Sequence, residues 1–173
     1  MLSDICTTHD FNAVCFRYFN AAGADQSGII GEAHEPETHL IPNILKSISS
    51  GKGDLKVFGD VYETPDGTCL RDYVHVNDLA QAHLLGLNNL GSQPGFSAFN
   101  LGNGNGFSVL EVIESCQQVT GIKVGYSIDS RRVGDPASLV SDSALAKDVL
   151  GWRPEFGALD QIIESAWRWH RNQ

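Results

Sequence analysis

The segment Phe11-Asn12-Ala13-Val14-Cys15-Phe16-Arg17-Tyr18-Phe19 is almost continuously apolar. A half-buried strand alternates apolar and polar residues. An unbroken run is instead how a strand buried on both faces reads, and such strands sit in parallel sheets covered by helices. A parallel strand needs parallel neighbours, and few candidates follow it here. The expected architecture is therefore α/β, with one or more strands belonging to a sheet whose remainder lies upstream.

Periodicity places the other elements. Leu2, Ile5 and Cys6 fall at i, i+3, i+4 and predict a helix at the start that has no N-cap before it. Residues 23–38, rich in Gly, Glu and polar residues, read as a loop. Ile41, Ile44, Leu45 and Ile48 mark an amphipathic helix, with Pro42 tolerated in its first turn and Gly51 at its stop. Residues 55–58 and 70–76 read as strands flanking the Pro65-Asp66-Gly67 turn. Asp78 is the expected cap of a helix running to about residue 90, with Ala80, Leu84 and Leu87 on one face. A strand at 96–101 precedes Gly102-Asn103-Gly104-Asn105-Gly106, and Ser108 with Glu111 forms a capping box for a helix ending at Gly121. Ile122, Val124, Tyr126 and Ile128 alternate as a half-buried strand, and helices are expected near 142–150 and 158–171. The whole reads as one domain over residues 1–173.

Composition excludes several function classes. A net charge of −9 argues against a nucleic-acid partner, because phosphate backbones need a basic face. It leaves room for a small phosphorylated ligand, which two or three arginines can hold. No apolar run approaches the roughly 20 residues of a membrane helix, and no membrane partner is expected. The start lacks the pattern of a signal peptide. Cys6, Cys15, Cys69 and Cys116 are scattered, with no C-x-x-C pair; Cys15 and Cys116 read as small core residues. The plain inference is a reduced, cytoplasmic setting without disulfides or a zinc site.

Against this background stands an ordered series of motifs. Arg17-Tyr18-Phe19-Asn20-Ala21-Ala22-Gly23 is followed by Gly31-Glu32-x-His34 and Pro36-Glu37-Thr38-His39-Leu40-Ile41-Pro42. Next come Phe58-Gly59-Asp60, Thr64-Pro65-Asp66-Gly67-Thr68 and Arg71-Asp72-Tyr73-Val74-His75-Val76-x-Asp78. Asn100-Leu101-Gly102 and Arg131-Arg132-x-Gly134-Asp135-Pro136 complete the series. In order and spacing it resembles the UDP-glucose/UDP-galactose 4-epimerase family of extended short-chain dehydrogenases, from about residue 1 to 170. The resemblance implies a C-terminal substrate-binding part, with NAD as cofactor and a UDP-sugar as substrate. It also implies a homodimer, and the unpaired strand edge is expected to drive dimers or larger species.

Two features that the family requires are missing. There is no G-x-x-G-x-x-G loop after an initial strand and no Tyr-x-x-x-Lys pair, since Tyr18, Tyr62, Tyr73 and Tyr126 have Ala22, Asp66, Asn77 and Ser130 four residues on. The expectation is a fragment that lacks the N-terminal NAD-binding half and is inactive by itself, with no catalytic residue of its own.

The resemblance carries roles onto particular residues. Arg71 matches the diphosphate-binding arginine, a task suited to a planar guanidinium fork; the bland alternative is a surface pair with Asp72 or Asp78. Arg132 and Asp135 match a phosphate contact and a ribose contact, or simply form a polar loop. Asn20 matches the asparagine that bonds the substrate, and Phe19 the residue whose backbone lies near the nicotinamide, with core packing as the alternative for its side chain. Lys56, Val57 and Phe58 match the strand lining the uracil pocket, where an aromatic face packs on the base; Val57 is equally a core residue. His39 and Leu40 stand where some members have Asn-Leu, a departure that weakens the case for a side-chain contact at His39 and is compatible with a backbone one. Leu139 aligns with a position that sizes the sugar pocket, and a leucine there implies space for N-acetylated UDP-sugars.

Rival readings are a nucleotide-sugar 4,6-dehydratase or decarboxylase, and a non-catalytic binding module. The residues after Arg17 do not fit the dehydratase pattern R-x-x-N-x-Y-G-P. Gly102-x-Gly104-x-Gly106 has the wrong spacing for a dinucleotide loop and reads as a turn leading into a helix. Glu32, His34, Glu35 and His39 lie on a loop without an H-E-x-x-H register, so no metal is assigned.

Overall fold

The computed structural model describes residues 1–51, 53, 55–92 and 94–173. Helix α1 (Leu2–Thr8) leads into β1 (Ala13–Tyr18) and the short β2 (Asn20–Ala22). After the loop comes α2 (Leu40–Ser50), which buries Ile41, Ile44, Leu45 and Ile48 and stops at Gly51 in the left-handed region. Strands β3 (Leu55–Phe58) and β4 (Leu70–His75) precede α3 (Val76–Asn89). Then come β5 (Phe96–Leu101), β6 (Gly106–Ser108) and α4 (Val109–Thr120), whose capping box between Ser108 and Glu111 is fully formed. The chain closes with β7 (Tyr126–Asp129), β8 (Ser138–Leu139), α5 (Ala144–Leu150) and α6 (Leu159–His170). Among the described residues no helix is long and apolar enough to cross a membrane.

Among the described residues the strands form three small sheets. β1 pairs in parallel with β5, so the parallel geometry expected from the apolar run is present. Its burial is less than expected: residues 13–16 are half-buried, and Arg17 and Tyr18 are exposed. β1 pairs only with β5 among the described strands, which leaves it short of the cover that a two-sided burial requires. β4 is the hub, with β2 and β8 parallel to it and β6 antiparallel. β3 pairs with β7 in parallel.

Two cores result. The larger collects the apolar faces of α2, α4 and α6 against β3 and Tyr73 of β4. The smaller holds Val74, Leu79, Phe99, Leu101 and Trp152 between β5, α3 and α5. Each fully buried Ile, Leu or Phe contributes about 1.5–3 kcal/mol, and α2 alone buries four such side chains.

Helix α3 departs from its sequence reading. Its cap is His75, whose Nδ1 accepts the Asn77 N–H at 3.1 Å, and Asp78 sits inside the first turn, buried. The Asp78 carboxylate instead accepts the backbone N–H groups of Glu155 and Phe156, while its carbonyl accepts Trp152 Nε1–H at 2.9 Å. A carboxylate with two long-range backbone donors gains more there than at a cap. The buried face carries Leu79, Ala82 and Gly86, whereas Leu84 and Leu87 are exposed. Gly86 lies so close to β1 that a Cβ would come within 2.5 Å of the Phe16 ring. That contact explains a helix-interior glycine, which otherwise costs about 1 kcal/mol.

The segment before β7 also differs. Val124 is buried, but Ile122, Tyr126 and Ile128 are exposed, and among the described strands β7 pairs only with β3. Cys116 is a core residue as expected, its thiol pushed up to about 12 by burial; Cys15 is only half-buried. Trp152 is fully buried, while Trp167 stacks on His170 at the end of α6.

His75 ties the elements together. With Nδ1 accepting from Asn77, the ring must carry its proton on Nε2, which donates to Ser165 Oγ at 2.9 Å; that oxygen also accepts the Ala24 N–H. Burial pushes the His75 imidazole below its ordinary value, against the pull of Asp78 and Asp25. The unfolded chain therefore takes up this proton near pH 6.5, before the folded one does. Stability is full above that pH and falls as pH drops through 6.5 towards the folded value, and His170, also lowered by burial, adds in the same direction. Thermal melts should show a lower Tm at pH 5 than at pH 8, with a smaller difference in His75→Gln; a wild-type Tm unchanged between the two would refute the assignment.

Candidate functional site

Strand alternation organises the site. Along β4 and the residue before it, Cys69, Arg71 and Tyr73 face one cavity of about 260 Å3, while the intervening Asp72 points the other way. β2 contributes Asn20, the start of α2 contributes His39 and Leu40, and β3 contributes Lys56, Val57 and Phe58. The loop after β7 closes the cavity with Arg132 and Asp135. Residues from five separated segments thus meet because β4 pairs with β2 and β3 pairs with β7, whose end feeds that loop.

Asp72 fixes this frame. Its carboxylate is fully buried and accepts the backbone N–H groups of Asn103, Gly104 and Ser141 at 3.0, 3.0 and 3.1 Å. The glycine-rich turn at 102–106 therefore does present N–H groups to an anion, but the anion is the protein's own carboxylate. A side chain at Gly102 would bring its Cβ within 2.5 Å of Asp72 Oδ2, so the turn depends on glycine there. Asn103 adds a bond from its side chain to the Tyr73 carbonyl at 2.7 Å.

The cationic groups are held in distinct ways. Arg71 donates through Nη1 to the Leu70 and Pro136 carbonyls and through Nη2 to Asp135. Its ion-pair partner is thus Asp135 rather than Asp72 or Asp78. Arg132 lies over the Phe58 ring, 4.0 Å from its centroid, and Arg131 covers Tyr62 in the same manner. Lys56 pairs with Asp129 at 2.9 Å across the β3–β7 register; the hydrogen bond raises the lysine and lowers the carboxylate. Asn20 donates its Nδ2–H to the Asp72 carbonyl at 2.8 Å.

The neutral walls complete the cavity. Burial pushes the Cys69 thiol up, and pushes the Tyr73 phenol up strongly, so both are neutral at ordinary pH. Val57 is 1% exposed and belongs to the larger core, so its side chain is a packing residue that also forms cavity wall. The sequence motifs do not single out Cys69 and Tyr73 as cavity residues; the signal that finds them is their period-two spacing with Arg71.

Leu139 and Phe19 lie outside this cavity. Leu139 is on β8, beside Arg71 in the parallel register and about half exposed. Phe19 lines an adjoining cavity of about 660 Å3, shared with Asn20, His39, Val76 and Asn77. On the loop between β2 and α2, Glu32, His34, Glu37 and His39 bring their ligating atoms within 4.8 Å of one another. Glu35 does not join them and instead faces Lys46 at 3.7 Å.

The pattern of the NAD dependent epimerase/dehydratase family matches residues 1–102, more than half of the chain. The chain belongs to this family. A UDP-glucose 4-epimerase of Halalkalibacterium halodurans is 52% identical over 158 residues, which cover 91% of this chain and 47% of that protein. A crystal structure of a UDP-glucose 4-epimerase from Stenotrophomonas maltophila, with bound NAD and formylated UDP-arabinopyranose, superimposes with a TM-score of 0.94 at 40% identity. It is covered over 51% of its length by 99% of this chain. The Bifidobacterium longum UDP-glucose 4-epimerase, in complex with NAD+ and UDP, gives a TM-score of 0.90 at 36% identity, with 98% of this chain and 50% of that one aligned. The chain therefore spans about half the length of the relatives it matches, and its mixed α/β fold is that of the corresponding half of the family's structures.

The frame makes a testable demand. Asp72→Ala would leave three backbone donors without an acceptor, each costing about 1–3 kcal/mol when buried. Urea unfolding should show a loss of at least about 3 kcal/mol, with a smaller loss for Asp72→Asn, which keeps one carbonyl oxygen. A loss below about 1 kcal/mol would mean that the carboxylate does not organise these loops.

Proposed function

We propose that these residues form the sugar-nucleotide-binding half of an NAD-dependent UDP-hexose 4-epimerase. The observation that carries this reading is the convergence of Asn20, Arg71, Arg132 and Asp135 with β3 on one cavity. Two guanidinium groups on an otherwise acidic protein suit a diphosphate, because each fork can engage two phosphate oxygens. Arg71 is oriented for this by the Leu70 and Pro136 carbonyls, and it exchanges Asp135 for phosphate when the nucleotide enters. Asp135, so released, accepts from the ribose hydroxyls. Phe58, already under one guanidinium, offers its remaining edge and face to uracil.

The sugar end is held by fewer groups. Asn20 has its amide N–H committed to the Asp72 carbonyl, which turns the side-chain oxygen to the sugar hydroxyls. A firm grip on UDP with a loose grip on the sugar is what a reaction needs when a 4-keto sugar must turn over and be reduced on its other face. The adjoining cavity beside Phe19 and Asn77 fits the nicotinamide end of a dinucleotide, because it opens next to Asn20 and His39 of the sugar pocket. NAD, if held there beside Phe19 and Asn77, would supply the reversible acceptor for the C4 hydride. The base that takes the 4-hydroxyl proton, and the lysine beside it, are contributed by residues outside this chain, so the chain by itself binds without turning over.

Calorimetric titration tests the grip. UDP and UDP-glucose should bind the purified chain, and Arg71→Ala should weaken both by about tenfold or more, since a charge-assisted contact contributes roughly 1.5–3 kcal/mol. Absence of binding to the wild type would overturn the reading that this chain carries a preformed site.

We further infer that Leu139, outside the cavity lining but in register with Arg71 on β8 and half exposed, leaves room at the cavity's edge for an N-acetyl group on the sugar. In the complete enzyme, Leu139→Tyr should lower kcat/KM for UDP-GlcNAc relative to UDP-glucose by about tenfold, in keeping with the roughly 1–3 kcal/mol that pocket size commands. Equal ratios in wild type and variant would dismiss it.

A further inference from the structure

The segment between β2 and α2 reads Glu32-x-His34-x-x-Glu37-x-His39, and the fold closes it into a knot of four ligating side chains. His39 Nδ1 lies 2.9 Å from Glu32 Oε1 and 2.9 Å from Glu37 Oε1. A single imidazole nitrogen carries at most one proton, so it can satisfy one of these carboxylates well but not both. His34 Nδ1 approaches the same Glu37 oxygen at 4.0 Å, and the two imidazole rings stand 5.5 Å apart, tilted rather than stacked. Two carboxylates therefore converge on a space bordered by two ring nitrogens, and a single nitrogen, His39 Nδ1, faces both of them.

The arrangement is built rather than accidental. Glu37 has a side chain only 4% exposed, and its Oε1 accepts the backbone N–H groups of Thr38 and His39, each at 2.8 Å. Those bonds fix the carboxylate before any ligand arrives. His39 begins α2, where its carbonyl accepts the Asn43 N–H at 3.2 Å and the following Ile41 is buried in the larger core. The neighbouring cation, Lys46, is directed at Glu35 and stays out of the cluster.

We propose that Glu32, His34, Glu37 and His39 form a binding site for a divalent transition-metal ion of the zinc class. Two imidazole nitrogens with two carboxylate oxygens suit Zn2+ or Co2+, whereas Mg2+ and Ca2+ favour oxygen-only sites. In a tetrahedral site with bonds of roughly 2.0–2.1 Å, ligand atoms lie about 3.3 Å apart. The separations of 2.9 and 4.0 Å about Glu37 and His39 lie on either side of that value, and all four ligand atoms lie within 4.8 Å of one another, so side-chain rotations would draw the set around an ion. Because Glu32 and His39 also line the cavity beside Phe19, and His39 the one with Arg71, an ion here would clamp the loop to the start of α2 at the rim of both. The site does not depend on the sugar-nucleotide reading and is tested without it.

The test is titration of ZnCl2 into the purified chain, followed by calorimetry and by the Tm, with Co2+ as a spectroscopic substitute. One equivalent should bind, raise the Tm, and give with Co2+ the intense visible absorption of a four-coordinate ion. His34→Ala and His39→Ala, both on exposed rings, should each weaken Zn2+ binding by at least about tenfold without lowering the metal-free Tm. His9→Ala, at an exposed ring elsewhere, should bind as wild type. MgCl2 at the same concentration should leave the Tm unchanged. No saturable Zn2+ binding overturns the proposal, and so does binding that survives the double variant, since the ion would then lie at other groups such as the cysteines.

Discussion

The buried carboxylate of Asp72 is the constraint on which the site's geometry rests. It draws together two stretches remote in sequence, the turn at 103–104 and the segment after β8 at Ser141, by accepting one backbone N–H after another. The same residue's carbonyl holds the Asn20 side chain, so β2 is locked to β4 through side chain as well as ladder. Removing a charge from water is costly, and only a full set of donors makes it tolerable. Once Asp72 has that set, the backbone that carries Arg71 and Tyr73 has little freedom left, and the cavity wall inherits its rigidity.

The electrostatics obey a similar logic of mutual restraint. The chain carries a net charge of −9, yet its cavity gathers Lys56, Arg71 and Arg132. Two of these are held by carboxylates, Asp129 and Asp135, and the third rests on an aromatic ring. Cations kept in place by nearby acids need little reorganisation when another anion takes the acids' place. A protein acidic overall can thus hold an anion through local arrangement rather than net attraction.

Much of this is legible in the sequence, and the failures have physical causes. Helices with strong periodicity and explicit signals, such as α2 with Gly51 and α4 with its Ser108–Glu111 box, lie where the pattern puts them. Parallel pairing of β1 is readable from its apolar run, whereas its incomplete burial depends on what neighbours are present, which a single segment does not encode. Asp78 misleads because an acid at a helix start is ordinarily a cap; here tertiary donors at Glu155 and Phe156 outcompete the local ones. Most of the candidate binding residues face one cavity, but the pairing of Arg71 with Asp135 and the entry of Glu37 in place of Glu35 into the loop cluster are decided by side-chain directions. Spacing alone is silent on those.

The alternation along β4 has one more consequence. Positions 69, 71 and 73 look into the cavity, and 72 and 74 look into the interior behind it. A slip of the strand by one residue would swap these faces wholesale. It would drive the Arg71 guanidinium into a pocket shaped to cradle an anion and present a carboxylate where the cation now stands. Each face thus rejects the other's occupant by sign of charge, so the strand's alignment is proofread electrostatically and not by hydrophobic fit alone.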